Sequence, residues 1–113
     1  MEIAMVREKN YYDISLDEIG LPTRWIGNVP LFNKNDCITL INYCEQNGFV
    51  IMGIEGFNFL GNSRVPNMDA IVDFSELMNL DQTNFKEKSA SIARDFVSNF
   101  YDAEIEFELV LIK

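Results

Sequence analysis

The sequence predicts an α+β fold, a single layer of largely antiparallel sheet, about four strands, with two main helices packed on it. Three observations lead there. Residues 35–47 and 85–100 carry apolar side chains at helical spacing. Residues 104–109 alternate acidic and apolar side chains with the period of a strand that continues to Ile112. Between the helices, strand-like runs follow one another without an intervening helix, an order that favours antiparallel pairing.

Residues 1–32 form the less regular N-terminal part of what is expected to be one domain spanning residues 1–113. A strand is expected over residues 3–6. Ser15-Leu16-Asp17-Glu18 has the form of a capping box, in which serine oxygen and Glu18 carboxylate each satisfy a backbone N–H, so a short helix should run to Gly20. Leu21-Pro22-Thr23-Arg24-Trp25 reads as a turn, because Pro22 disfavours helical conformation at the residue before it. The first long helix follows, with Asn35 as its cap, Cys37, Ile38, Leu40, Ile41, Tyr43 and Cys44 as its apolar stripe, and Gly48 as the left-handed residue that ends it. Phe49-Val50-Ile51-Met52 is a continuous apolar run, as in a central strand covered on both faces.

Gly53 and Gly56 interrupt that run and mark a bulge or a close backbone approach. Phe57-Asn58-Phe59-Leu60 continues the extended chain to a turn at Gly61-Asn62-Ser63, with a hairpin across residues 61–66. In the returning strand Met68, Ala70, Val72 and Phe74 should face inward and Asp69, Ile71 and Asp73 outward. After a loop over residues 75–82, Phe85, Ser89, Ile92, Phe96 and Phe100 mark the second helix, with Asn84 and Glu87 as a capping box. In the last strand Ile105, Phe107, Leu109 and Leu111 form one face and Glu104, Glu106 and Glu108 the other.

Composition bounds the function. A 48% hydrophobic share with 12% aromatics supports a folded core in 113 residues. Eighteen acidic against nine basic side chains leave a net charge of −9, which repels nucleic acid and anionic membranes and attracts basic proteins. No run of about 18 consecutive apolar residues occurs. The opening residues 1–9 lack a basic stretch followed by an apolar core, so a cytoplasmic protein is expected. Cys37 and Cys44 sit on one helix about 10 Å apart, beyond the roughly 7 Å reach of a disulfide. They read as buried thiols of a reduced compartment.

The chain has no histidine, no CxxC, no glycine-rich phosphate loop and no EF-hand loop. No cofactor or metal is therefore expected, and no enzymatic role. Asp69 and Asp73 would stand about 13 Å apart along a strand, too far for the roughly 5 to 9.5 Å spacing of a glycosidase pair. Glu55 can approach Asp69 across the hairpin, but acids on surface strands are common.

Glu104, Glu106 and Glu108 are spaced about 7 Å apart along one face. From Asp95 to Ile112 no Lys or Arg interrupts the acids, so this stretch is expected to present a one-signed field that recruits a basic protein. A solvated strand face accounts for the same glutamates without a partner. Trp25 reads as a core plug or as an interface anchor.

In this order the elements resemble a family of bacterial immunity proteins of polymorphic toxin systems, the fortieth of its numbered series. Met52-Gly53-Ile54-Glu55-Gly56-Phe57 is similar to that family's Leu-Gly-Gly-Asp-Val-Tyr motif in Gly53, the acid Glu55 and the aromatic Phe57, with Ile54 in place of the second glycine. Pro66-Asn67-Met68-Asp69-Ala70-Ile71 shares Pro66 and Asp69 with the Asp-Asn-Trp region, with Ile71 in place of the tryptophan. Lys88-Ser89 and Phe107-Glu108-Leu109-Val110 also resemble it.

The resemblance implies a cofactor-free protein that occludes the active or substrate-binding surface of a cognate toxin domain, a basic one such as a nuclease. Glu55, Asp69, Asp73, Glu104, Glu106, Glu108 and Trp25 are then the expected partner-binding residues. The alternative is another acidic binding module, a nucleic-acid mimic or an adaptor. Monomer and homodimer are both compatible with the sequence.

Overall fold

The computed structural model describes residues 10–11, 14–21, 24–74 and 82–112. Two small hairpins come first, β1 (Asn10–Tyr11) with β2 (Ile14–Ser15) and β3 (Arg24–Ile26) with β4 (Val29–Leu31), separated by a 3₁₀ turn at Leu16–Ile19. Helix α1 (Lys34–Gln46), strands β5 (Val50–Leu60) and β6 (Ser63–Asp73), helix α2 (Gln82–Asn99) and strand β7 (Glu106–Ile112) complete the order. The main sheet has three strands in the order β6-β5-β7, all antiparallel.

The α+β class is the one the periodicities predict, but the main sheet is one strand shorter. Residues 49–52 and 57–60, expected as separate strands, belong to the single long β5. The chain passes Gly53 and Gly56 by slipping register, once between Ile51 and Gly53 against β7 and once between Glu55 and Gly56 against β6. The hairpin turn is also tighter than expected. Leu60 pairs with Ser63, and Gly61 at φ 62 supplies the left-handed residue a two-residue loop requires. Arg64, Val65 and Pro66 therefore pair with Phe59, Asn58 and Phe57.

Helix α1 begins two residues earlier than a cap at Asn35 implies. Asn33, not Asn35, is the cap: it holds an extended backbone at φ −67, ψ 178, and its Oδ1 accepts the Asp36 N–H at 2.8 Å. Gly48 at φ 83 follows its end as expected. Helix α2 already includes Gln82, so Asn84 lies within its first turn and not ahead of it. The strand expected over residues 3–6 lies outside the described residues, as does the loop expected over residues 75–82 apart from Gln82, which belongs to α2.

The core sits between the two helices and one face of the sheet. Cys37, Leu40, Ile41 and Cys44 of α1 and Phe85, Ala93 and Val97 of α2 join Ile51, Ile54, Ile105, Phe107, Leu109 and Leu111 in one buried cluster. Ile14, Leu16 and Leu21 belong to the same cluster, so the described part of the N-terminal segment packs on the domain. Phe32 and Phe107 exchange two backbone hydrogen bonds, at 2.9 and 2.8 Å, which tie the β3–β4 hairpin to the edge of β7. The helices run antiparallel: the Lys34 ammonium reaches the Phe100 carbonyl, and the Arg94 Nε–H donates to Asn42 Oδ1 at 2.9 Å.

Cys37 and Cys44 are unbridged and buried. Burial pushes both thiols up, Cys44 to about 12, with Cys37 raised further by its neighbour Cys44 and by Asp36. The thiolate is the reactive form, so neither cysteine should react with a disulfide reagent at pH 8 in the native protein. Both should react in denaturant. Stoichiometric labelling of the folded chain would contradict this placement.

Candidate protein-binding surface

One face of the sheet takes the helices. The other face carries Glu55, Ile71 and Asp73 from β5 and β6, and Glu106, Glu108, Val110 and Ile112 from β7. Among the described residues no helix covers it. Ile71, Val110 and Ile112 remain 45%, 39% and 42% exposed there. Gly53, paired with Asp73 on one side and Val110 on the other, has no side chain to fill the middle. The result is an open groove of about 290 Å³ between Glu55, Ile71, Asp73 and Val110.

Glu55 and Glu108 are direct cross-strand partners on this face, a position that brings Cβ atoms to about 4.5 to 5.5 Å and makes like charges unfavourable. The Glu108 carboxyl is pushed above its ordinary value by burial and then by the Glu55 charge, with Arg64 opposing. A folded value raised above the unfolded one of 4.5 gives stability that is present below that pH and lost as pH rises through the folded value. Glu108→Gln is therefore expected to raise the melting temperature at pH 7 and to leave it unchanged at pH 3. A lowered melting temperature at pH 7 would show that the carboxylate is held by attraction instead.

The remaining expected residues are dispersed. Glu106 is not part of a free acidic face: its side chain is 9% exposed and the Arg24 guanidinium grips it with two bonds, Nε to Oε1 at 2.7 Å and Nη2 to Oε2 at 2.8 Å. Arg24 also lies 4.0 Å over the Phe59 ring, and Arg64 lies 4.8 Å over Phe57, on the same side of the sheet. The stretch that is one-signed along the chain is thus mixed in space, because β3 and β6 bring arginines to it.

Glu104 is off the strand altogether, exposed in the turn before β7, where its N–H donates to Asp102 Oδ1 at 2.9 Å. A strand face does not extend to it because the chain is still turning out of α2. Trp25 is half-buried and packs on the core. Asp69 stands apart from the groove. Met68, Asp69 and Ala70 bulge between Asn67, which pairs with Gly56, and Ile71, which pairs with Glu55. Ala70 turns inward as expected, but Met68 is thrown out to 76% exposure.

Asp69 accepts the Tyr101 hydroxyl at 3.0 Å. The Asn67 amide donates to Asn58 Oδ1 at 2.9 Å, and the Asn58 amide to Asp102 Oδ2 at 2.8 Å. This chain of polar side chains fastens the outer half of the β5–β6 hairpin to the segment after α2. Apart from Asp69, its members were not marked out by type or spacing, since they meet only through the fold. One missed element had a signal: Ile26-Gly27-Asn28-Val29 is a two-residue hairpin sequence, with Gly27 at φ 60, and it delivers Arg24 to Glu106.

No known protein family, curated protein or solved structure matches this chain. Its chemistry has to be read from its own residues. No cluster of three or more His, Cys, Asp or Glu among the described residues is arranged to hold a metal ion, and no helix among them is long and apolar enough to cross a membrane. What the helix-free face offers is an acidic pair, exposed aliphatic side chains and an unfilled groove.

Proposed function

We propose that this chain is an immunity-type inhibitor that docks a basic toxin domain, such as a nuclease, on the helix-free face of its sheet and so occludes the toxin's working surface. The observation that carries this reading is the Glu55–Glu108 pair. Two carboxylates held face to face among the exposed Ile71, Val110 and Ile112 cost the free protein stability, and a partner's Lys or Arg removes that cost on binding. The net charge of −9 steers a cationic partner to the surface and disfavours nucleic acid as the direct ligand. The resemblance to immunity proteins supplies the partner class, and with it a cytoplasmic site of action and no need of a cofactor.

The test is co-expression with the C-terminal fragment of any large secreted protein encoded immediately upstream. The wild-type chain should restore growth and co-purify with the fragment. Equal killing with and without the chain would defeat the inhibitor reading. Glu55→Gln with Glu108→Gln should slow association by about tenfold at low salt and flatten its salt dependence, because charge complementarity acts chiefly on the on-rate. Glu106→Gln belongs in a separate arm, since its carboxylate is engaged within the protein by Arg24. Unchanged association kinetics for the Glu55/Glu108 double variant would remove this face from the interface.

A further inference from the structure

We propose that the outer half of the β5–β6 hairpin is a preformed finger that inserts into an apolar, positively rimmed cleft of a protein partner. The proposal deepens the inhibitor reading and rests on it for the partner's identity. Residues 60–66 are all exposed, so this part of the hairpin stands clear of the helices. Cross-strand pairing puts Asn58 with Val65, Leu60 with Ser63 and Gly56 with Asn67, so Leu60, Val65 and Asn67 share the helix-side face of the hairpin. There Leu60 is 74% and Val65 40% exposed, while Met68 at 76% and Tyr101 at 69% lie beside them.

Leu60, Met68 and Tyr101 are the three most exposed large apolar side chains among the described residues, and all three lie on this hairpin or against it. The Asn67 amide approaches the Tyr101 hydroxyl at 3.4 Å, and the Tyr101 ring stacks on Phe100 with centroids 4.5 Å apart. Exposed apolar side chains concentrated on one element mark interaction sites, and Tyr and Met are enriched in them.

Charge selects the occupant. Asp69, Asp102 and Glu104 border the patch, whereas Arg64 points to the opposite side of the hairpin over Phe57. A second copy of this chain would bring the same acids together and add its own net charge of −9. Strand-to-strand pairing is also obstructed, because Pro66 withholds a donor from the free edge of β6 and Met68-Asp69-Ala70 bulges out of register. A basic partner meets neither obstacle.

The finger is rigid before it binds. The two-residue turn closes its tip, and the bonds among Asp69, Tyr101, Asn67, Asn58 and Asp102 brace its base, so little ordering entropy opposes insertion. Its other side, with Phe57 and Phe59, is continuous with the helix-free face, so a cleft that receives the finger also reaches Glu55 and Glu108.

Leu60→Ser with Met68→Ser tests the proposal, since side chains this exposed can be replaced without disturbing the fold. With the upstream toxin fragment as probe, the double variant should bind at least tenfold more weakly, through a faster off-rate, at an unchanged melting temperature. Wild-type affinity in the double variant overturns the finger while leaving the inhibitor reading in place. Failure of the wild-type chain itself to bind the fragment overturns that reading. Sedimentation of the free chain supplies a second arm: a concentration-dependent dimer abolished by the double variant would assign the patch to self-association and overturn the proposal.

Discussion

Gly56→Ala is expected to destabilise the fold by about 3 kcal/mol, at the upper end of what overpacking a tight core site costs. A Cβ on Gly56 would lie 2.4 Å from the Ala70 Cβ and 2.7 Å from the Ile105 Cδ1. The isoleucine terminus can rotate away, but the Ala70 Cβ is fixed to the backbone of the β6 bulge, so the strands themselves must separate. The bulge brings Ala70 inward and the glycine makes room for it, so the two features depend on each other. Gly53→Ala is the internal comparison. Its Cβ would meet the Val72 carbonyl oxygen at 2.9 Å and otherwise only the Val110 side chain at 3.9 Å, on the open side of the sheet. Urea melts of the two variants should therefore separate, with Gly56→Ala the less stable. Equal midpoints would mean that the approach of Ala70 to β5 is looser than these contacts describe.

Arg24→Ala should cost about 2 kcal/mol, because it removes the partner of a carboxylate that has little water of its own. The Glu106 side chain is 9% exposed while that of Arg24 is 44% exposed, which places the pair below the cost of a fully buried one. The same substitution uncovers the Phe59 ring and frees the β3–β4 hairpin from β7 on this side. Replacing Glu106 by Gln in the Arg24→Ala background should recover part of the loss, since no charge then remains without a partner. A double-mutant cycle followed by thermal melting measures this directly. Strict additivity of the two changes would show that arginine and glutamate do not interact.

These two sites show how far the residues could be read in advance. Glycine at positions 53 and 56 inside an apolar run was legible as a bulge or a close approach, and both bulges are there. That the run continues through them as one strand was not, because local propensity sees two interruptions while the flanking strands supply the hydrogen bonds that carry β5 across. The apolar face of the last strand was legible down to each residue, Phe107, Leu109 and Leu111 of β7 and Ile105 just before it all being buried. The opposite face was legible in its side-chain types but not in its electrostatics. Nothing in the order of residues 95–112 announces that Arg24, 82 positions away from Glu106, closes on it. Met68 illustrates the same limit. Alternation assigned it inward, and a bulge set by pairing with β5 turned it out.

The sequence by itself determined the α+β class, the two long helices, the core-facing side of the last strand, the buried state of the cysteines and an acidic surface. Each follows from periodicity, composition or intrinsic preference, properties that a short stretch of chain carries wherever it is placed. The tertiary structure alone decided which acids face each other, as Glu55 and Glu108 do on the helix-free face, and which are engaged by hydrogen bonds, as Glu106 is by Arg24 and Asp69 by Tyr101. It also decided that the hairpin projects beyond the helices with Leu60 and Met68 exposed. The reason is physical: charge neutralisation and exposure depend on which distant segments arrive within a few ångströms. Strand register and bulges set those arrivals, and both are properties of the paired strands rather than of either one.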